Sequence, residues 1–123
     1  MTGMELGLDG QTVIRACFDY GISLQTDNGY EIRIEADYVV QSSGDRSGCG
    51  SQDPGRILAA ALNEIISTAV VDSGTLDLTF SNGTALRVEP HEMYEAWTVT
   101  GPCGMKVVSM PGGELAVWSM GNS

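Results

Sequence analysis

Hydrophobic and polar positions alternate with a period of two over much of this chain, and that periodicity predicts strands. Val13-Ile14-Arg15-Ala16-Cys17-Phe18 reads as one strand and Ile22-Ser23-Leu24-Gln25-Thr26 as the next, with a turn at Asp19-Tyr20-Gly21 between them. Asp27-Asn28-Gly29 then supplies an Asn-Gly pair suited to a type I′ hairpin, whose two central residues need positive φ. The return strand is expected to run from Tyr30 to about Val39. Tyr30, Ile32, Ile34 and Ala36 would face a core, and Glu31, Arg33, Glu35 and Asp37 would face solvent.

The pattern then lapses and changes period. Gln41 to Gln52 is rich in Ser and Gly with no apolar repeat, which predicts a mobile loop. Asp53-Pro54 pairs a capping residue with a proline suited to a first helical turn. Beyond it Ile57, Leu58, Ala61, Leu62, Ile65 and Ile66 recur at spacings of three and four, so a helix over about 54–66 is expected, its apolar stripe packed on a sheet.

From Thr68 the strands resume, and the chain repeats itself. Residues Ile22–Glu35 align without a gap to Leu76–Glu89: Leu24, Asn28, Gly29, Arg33 and Glu35 match Leu78, Asn82, Gly83, Arg87 and Glu89 identically. Each half therefore carries an Asn-Gly hairpin in the same register. The Arg33/Glu35 and Arg87/Glu89 pairs fall on the solvent faces as exposed ion pairs worth well under ~1 kcal/mol.

The last quarter, Tyr94 to Trp118, reads as three short strands punctuated by turns at Gly101-Pro102-Cys103-Gly104 and Pro111-Gly112-Gly113, and it holds both tryptophans. Trp97 and Val99 share one face of their strand; in the last strand Leu115 and Val117 oppose Ala116 and Trp118. The expected architecture is an α+β single domain over 1–123. It comprises two related antiparallel β-meanders (about 12–40 and 68–90), one helix on the sheet and a C-terminal three-strand extension. A chain of 123 residues is too short for two full cores.

Charge changes the picture most. Sixteen Asp and Glu against six Lys and Arg leave a net charge of -10, a field that repels nucleic acid and anionic membranes and attracts basic surfaces. Cys17, Cys49 and Cys103 are widely spaced and His91 is the single histidine, so no metal or cofactor site is expected. Gly48-Cys49-Gly50 has no neighbouring base, Cys103 reads as a turn residue, and His91 reads as a loop histidine without a triad. The odd cysteine count, the absence of a signal-like amino terminus and the lack of a long apolar run point to a cytoplasmic protein.

Tyr94-Glu95-Ala96-Trp97, Gly101-Pro102 and Pro111-Gly112-Gly113-Glu114-Leu115-Ala116-Val117-Trp118, with Asp19-Tyr20-Gly21 and Arg33-Ile34-Glu35 upstream, resemble a family of small actinobacterial proteins built on a domain of unknown function. The resemblance covers most of residues 10–118; Cys103 departs from it, standing where a small or acidic turn residue is expected. Such proteins are similar in size, acidity and β-rich build to immunity proteins of polymorphic toxin systems, and no catalytic residues carry over.

The resemblance and the charge together imply a non-enzymatic immunity or inhibitor-type protein that binds and blocks a cognate toxin with a basic cleft. Asp45, Asp72, Asp77, Glu92, Glu95 and Glu114 are the candidate partner-binding carboxylates, with Trp118 as an aromatic anchor. The alternatives are a β module that binds a small ligand or peptide, and a homodimeric scaffold joined through exposed edge strands.

Overall fold

The computed structural model describes residues 4–18, 21–41 and 61–118. In chain order the strands are β1 (Met4–Glu5), β2 (Val13–Phe18), β3 (Ile22–Thr26), β4 (Glu31–Ile34), β5 (Tyr38–Gln41), β6 (Ile66–Asp72), β7 (Thr75–Phe80), β8 (Ala85–Val88), β9 (Trp97–Thr100), β10 (Lys106–Ser109) and β11 (Leu115–Trp118). They form a five-stranded sheet of order β1-β6-β7-β8-β5 and a six-stranded sheet of order β11-β10-β9-β4-β3-β2. Every pairing is antiparallel.

The predicted α+β class is corrected to a two-sheet β architecture. Residues 54–60 of the expected helix lie outside the described residues, as does the expected loop beyond Gln41, including Asp45 and Cys49. At its other end the helix is overturned. Asn63 adopts a φ of 68°, Ile65 bridges Thr12, and Ile66 is the first residue of β6. Ile65 and Ile66 extend the apolar spacing of the preceding residues although they belong to the start of β6, and a short apolar run does not distinguish helix from strand by spacing.

The two halves are present, and they sit in different sheets. β2-β3-β4 and β6-β7-β8 each form a meander, and each meander receives its fourth strand from the other half. β5 follows β4 in sequence but pairs with β8, while β9 follows β8 but pairs with β4. The registers correspond: Ile34 lies opposite Trp97 as Val88 lies opposite Tyr38, and Ile32 opposite Val99 as Leu86 opposite Val40. The single return strand expected from Tyr30 to Val39 is therefore broken at Glu35–Asp37, where the chain changes sheets. Neither sheet is complete without a strand from the other half.

Each tight turn follows the chemistry of its residues, though the two Asn-Gly hairpins differ from the expected type. In the Asn-Gly hairpins only the glycines have positive φ, Gly29 at 86° and Gly83 at 89°. The Thr26 and Phe80 N–H groups donate to the Tyr30 and Thr84 carbonyls at 2.9 and 2.8 Å. These are three-residue loops closing on a left-handed glycine instead of type I′ turns. Positive φ at two successive residues occurs at the β6–β7 turn, where Ser73 and Gly74 have φ of 54° and 84°.

Alternation places Ile22, Leu24, Ile32, Ile34, Leu76, Leu78, Leu86 and Val88 in one buried cluster between the sheets, with Leu8, Val13 and Trp97 closing it. Trp97 is fully buried, and its Nε1–H donates to the Gly74 carbonyl at 3.0 Å; the buried Ser109 Oγ–H donates to the same oxygen at 3.2 Å. One carbonyl of the β6–β7 turn thus ties the first sheet to β9 and β10 of the second. A Cβ on Gly74 would stand 2.5 Å from the Gly113 carbonyl oxygen, so the turn also requires glycine for space.

Gly74→Ala is expected to cost on the order of 3 kcal/mol, from left-handed strain plus a backbone collision. Gly112→Ala, at a φ of 86° with open space around it, should cost only about 1–2 kcal/mol. Urea unfolding of the two variants measures the difference.

Candidate partner-binding surface at the crossover end

The two crossing connections pass each other at one end of the sandwich. The β4–β5 connection is Glu35–Asp37 and the β8–β9 connection is Glu89–Ala96; the Ala96 carbonyl accepts from the Glu35 and Ala36 N–H groups at 2.8 and 3.1 Å. The Ser73-Gly74 turn and the Pro111–Gly113 turn between β10 and β11 close the same end, meeting at Gly74 and Gly113. The second crossing is longer than its counterpart by a run that includes Pro90 to Tyr94. That extra length is what this end adds to the duplicated scaffold.

The extension is built around His91. Its carbonyl accepts from the Gly112 N–H at 2.9 Å, which fastens the loop to the β10–β11 turn. Its Nδ1 accepts from the Met93 N–H at 2.9 Å, so the ring proton sits on Nε2. The ring stacks on Tyr94 with centroids 3.8 Å apart and planes 13° from parallel. The loop therefore holds Tyr94, which is half-exposed, and Met93, 79% exposed, outward at its crest.

Two open hollows flank this stack. One, of about 310 Å³, is lined by Ala36, Asp37, Tyr38, Val39, Arg87, Glu89, Pro90 and His91. The other, of about 530 Å³, is lined by Glu35, Tyr94, Glu95, Met110 and Pro111. Around them the connections carry Glu35, Asp37, Glu89, Glu92, Glu95 and Glu114, with Asp72 at the end of β6, and no lysine or arginine occurs within these connections. Among the described residues no group of three His, Cys, Asp or Glu side chains is placed to hold a metal ion. No helix of the described residues is long and apolar enough to cross a membrane.

A sequence profile of the family described as "Family of unknown function (DUF6188)" matches residues 4–119. The chain belongs to this family. No curated protein and no solved structure matches the chain. The carboxylates of this DUF6188 domain can thus be placed only by its own geometry.

Of the candidates predicted from sequence, Asp72, Glu92, Glu95 and Glu114 fall at the crossover end. Asp72 leads into the Ser73-Gly74 turn, Glu92 and Glu95 lie on the long connection, and Glu114 follows Gly113. Asp77 is placed elsewhere, on the outer face of β7, where Arg87 Nη1 lies 3.5 Å from its carboxylate. Arg87 also pairs with Glu89 at 3.6 Å, as Arg33 does with Glu35 at 3.7 Å, and all these groups are about half exposed or more. Trp118 ends the edge strand β11 far from Glu114 along that strand, half exposed, with Lys106 Nζ 5.5 Å from its ring centroid. Asp45 lies outside the described residues.

Sequence reasoning missed Met93, Tyr94 and the stacking role of His91. The signal was a difference in length: continuing the repeat past Glu35 and Glu89 leaves the second copy with extra residues before its next strand.

His91→Ala should lower stability by roughly 0.5–1.5 kcal/mol through the lost stack. It should also admit protease at Met93, with an unchanged far-UV spectrum. Arg87→Ala should change stability by less than about 1 kcal/mol, since both its ion pairs are exposed to solvent; thermal unfolding in parallel with the parent measures it.

Proposed function

We propose that this DUF6188 protein is a non-enzymatic binding protein of the immunity or inhibitor type, which covers a basic cleft of a partner protein with its crossover end. The observation that carries this reading is an exposed crest of Met93 and Tyr94, the tyrosine ring stacked on His91, on connections that carry carboxylates and no lysine or arginine of their own. An exposed aromatic at the centre of a charged rim has the anatomy of a binding hot spot: the centre supplies affinity and the rim steers the encounter. The net charge of -10 strengthens that steering toward a basic surface. A cognate toxin is the partner class that the acidity, the size and the resemblance of the C-terminal block support together.

The half-exposed Val117 and Trp118 on edge strand β11 favour a second reading, in which two copies pair edge to edge. Light scattering over a wide concentration range discriminates it, because a stable dimer would persist on dilution.

For the main reading, the test is protection of cells expressing the product of a neighbouring toxin-like gene, paired with direct binding to the inactivated toxin. Tyr94→Ala is expected to weaken binding by about 30-fold, the equivalent of a ~2 kcal/mol hot spot. Raising salt should slow association and leave dissociation nearly unchanged. A parent protein that neither protects nor binds would sink the reading.

A further inference from the structure

We propose that the hollow lined by Glu35, Tyr94, Glu95, Met110 and Pro111 is a seat for a single arginine side chain presented by the partner. This deepens the binding reading above and rests on it. Four features of the hollow select that occupant.

The first is charge. Its carboxylates come from two different connections, Glu35 from the β4–β5 crossing and Glu95 from the β8–β9 crossing, and no cationic side chain lines it. The hollow on the other side of the stack differs, because an arginine, Arg87, is itself among the residues that line it. A cation is therefore accommodated on the Tyr94 side and opposed on the His91 side.

The second is the apolar surface between the carboxylates. Met110 and Pro111 offer a site for a methylene stem, so a long side chain can bury its stem there while its charged head reaches Glu35 and Glu95. The third is the tyrosine. Tyr94 is braced by its stack on His91, which leaves the ring pre-oriented as a platform. A planar guanidinium stacks on such a face and bonds carboxylates in a fork, whereas an ammonium is a strongly hydrated point charge with no plane to stack.

The fourth is that Glu35 already receives a guanidinium. The chain's own Arg33 Nε lies 3.7 Å from its carboxylate on the half-exposed outer face, a contact weak enough to be shared or displaced. With a volume of about 530 Å³ the hollow is within the range of ordinary ligand sites and is open on its outer side, as a seat for a projecting side chain must be.

The experiment is a ¹H–¹⁵N NMR titration of the full chain with three blocked tripeptides, acetyl-Gly-Xaa-Gly-amide, in which Xaa is arginine, lysine or the uncharged isostere citrulline. The arginine peptide is expected to shift the amides of Glu35, Tyr94, Glu95 and Met110 in a saturable way. The lysine peptide should bind several-fold more weakly, and the citrulline peptide should give no saturable shift. Glu95→Gln, at an exposed loop position where folding is not at stake, should weaken the arginine peptide at least fivefold, and Tyr94→Leu should abolish its preference over lysine.

Shifts spread evenly over all the carboxylate-bearing segments would overturn the seat, as would equal binding of arginine and lysine peptides that Glu95→Gln leaves unchanged. The seat and the partner reading fail separately. A partner bound through Tyr94 with no loss in Glu95→Gln removes the seat and keeps the reading; a saturable arginine site on a protein that neither protects against nor binds the toxin does the reverse.

Discussion

The Gly74 carbonyl accepts two buried hydrogen bonds, from the Trp97 indole and the Ser109 hydroxyl, and the relation between the two sheets depends on it. A buried carbonyl without partners costs on the order of 1–3 kcal/mol, so satisfying it twice makes this turn a fixed point and not a fraying end. The same turn needs positive φ at Ser73 and Gly74 and lets the Gly113 backbone approach where no Cβ could stand. Trp97 leads β9, the strand the second half contributes to the first half's sheet. Its bond to Gly74 returns to the second half's own meander, so the exchange of strands is locked at the position where it begins.

That exchange explains how an internally repeated chain comes to share one core. Two separate meanders would each leave an apolar face and an unpaired edge. By trading β5 and β9, each sheet acquires its fourth strand from the other repeat, and the inward faces share one core. The two crossings must then pass at one end, and the hydrogen bonds from Glu35 and Ala36 to Ala96 fix how closely they do so. The candidate surface is a by-product of this topology: the crossing that was lengthened lies on top of the one that was not. Its loop is held by a backbone bond to Gly112 and by the stacked His91 and Tyr94 rings, so its exposed side chains are presented on a braced support.

Electrostatics and packing divide the work at this end. Exposed ion pairs such as Arg33 with Glu35 contribute little to stability, so a carboxylate in such a pair can change partners at small cost to the fold. The apolar crest offers contact area that water does not satisfy. Asp77 differs in place: it lies on a sheet face beside Arg87, away from the apolar crest.

The sequence by itself determined the strands of the two meanders, their common register, the glycines of both hairpins and the solvent-facing Arg/Glu pairs. All of these are local consequences of period-two alternation and of turn chemistry. It also determined the family block, since Trp97 and the Gly/Pro turns around it are dictated by burial and by backbone conformation. It did not determine which sheet a strand joins. Alternation runs unbroken from Tyr30 through Ala36, and nothing local in that run distinguishes a continuing strand from one that crosses to a second sheet. The helical reading of Ile65 and Ile66 failed for a related reason, because a short apolar run at the start of a strand can continue the spacing a helix would also use. Which carboxylates cluster, and that Tyr94 rather than Trp118 stands among them, was decided only by the tertiary structure, because strand exchange brings together connections that are distant in the chain.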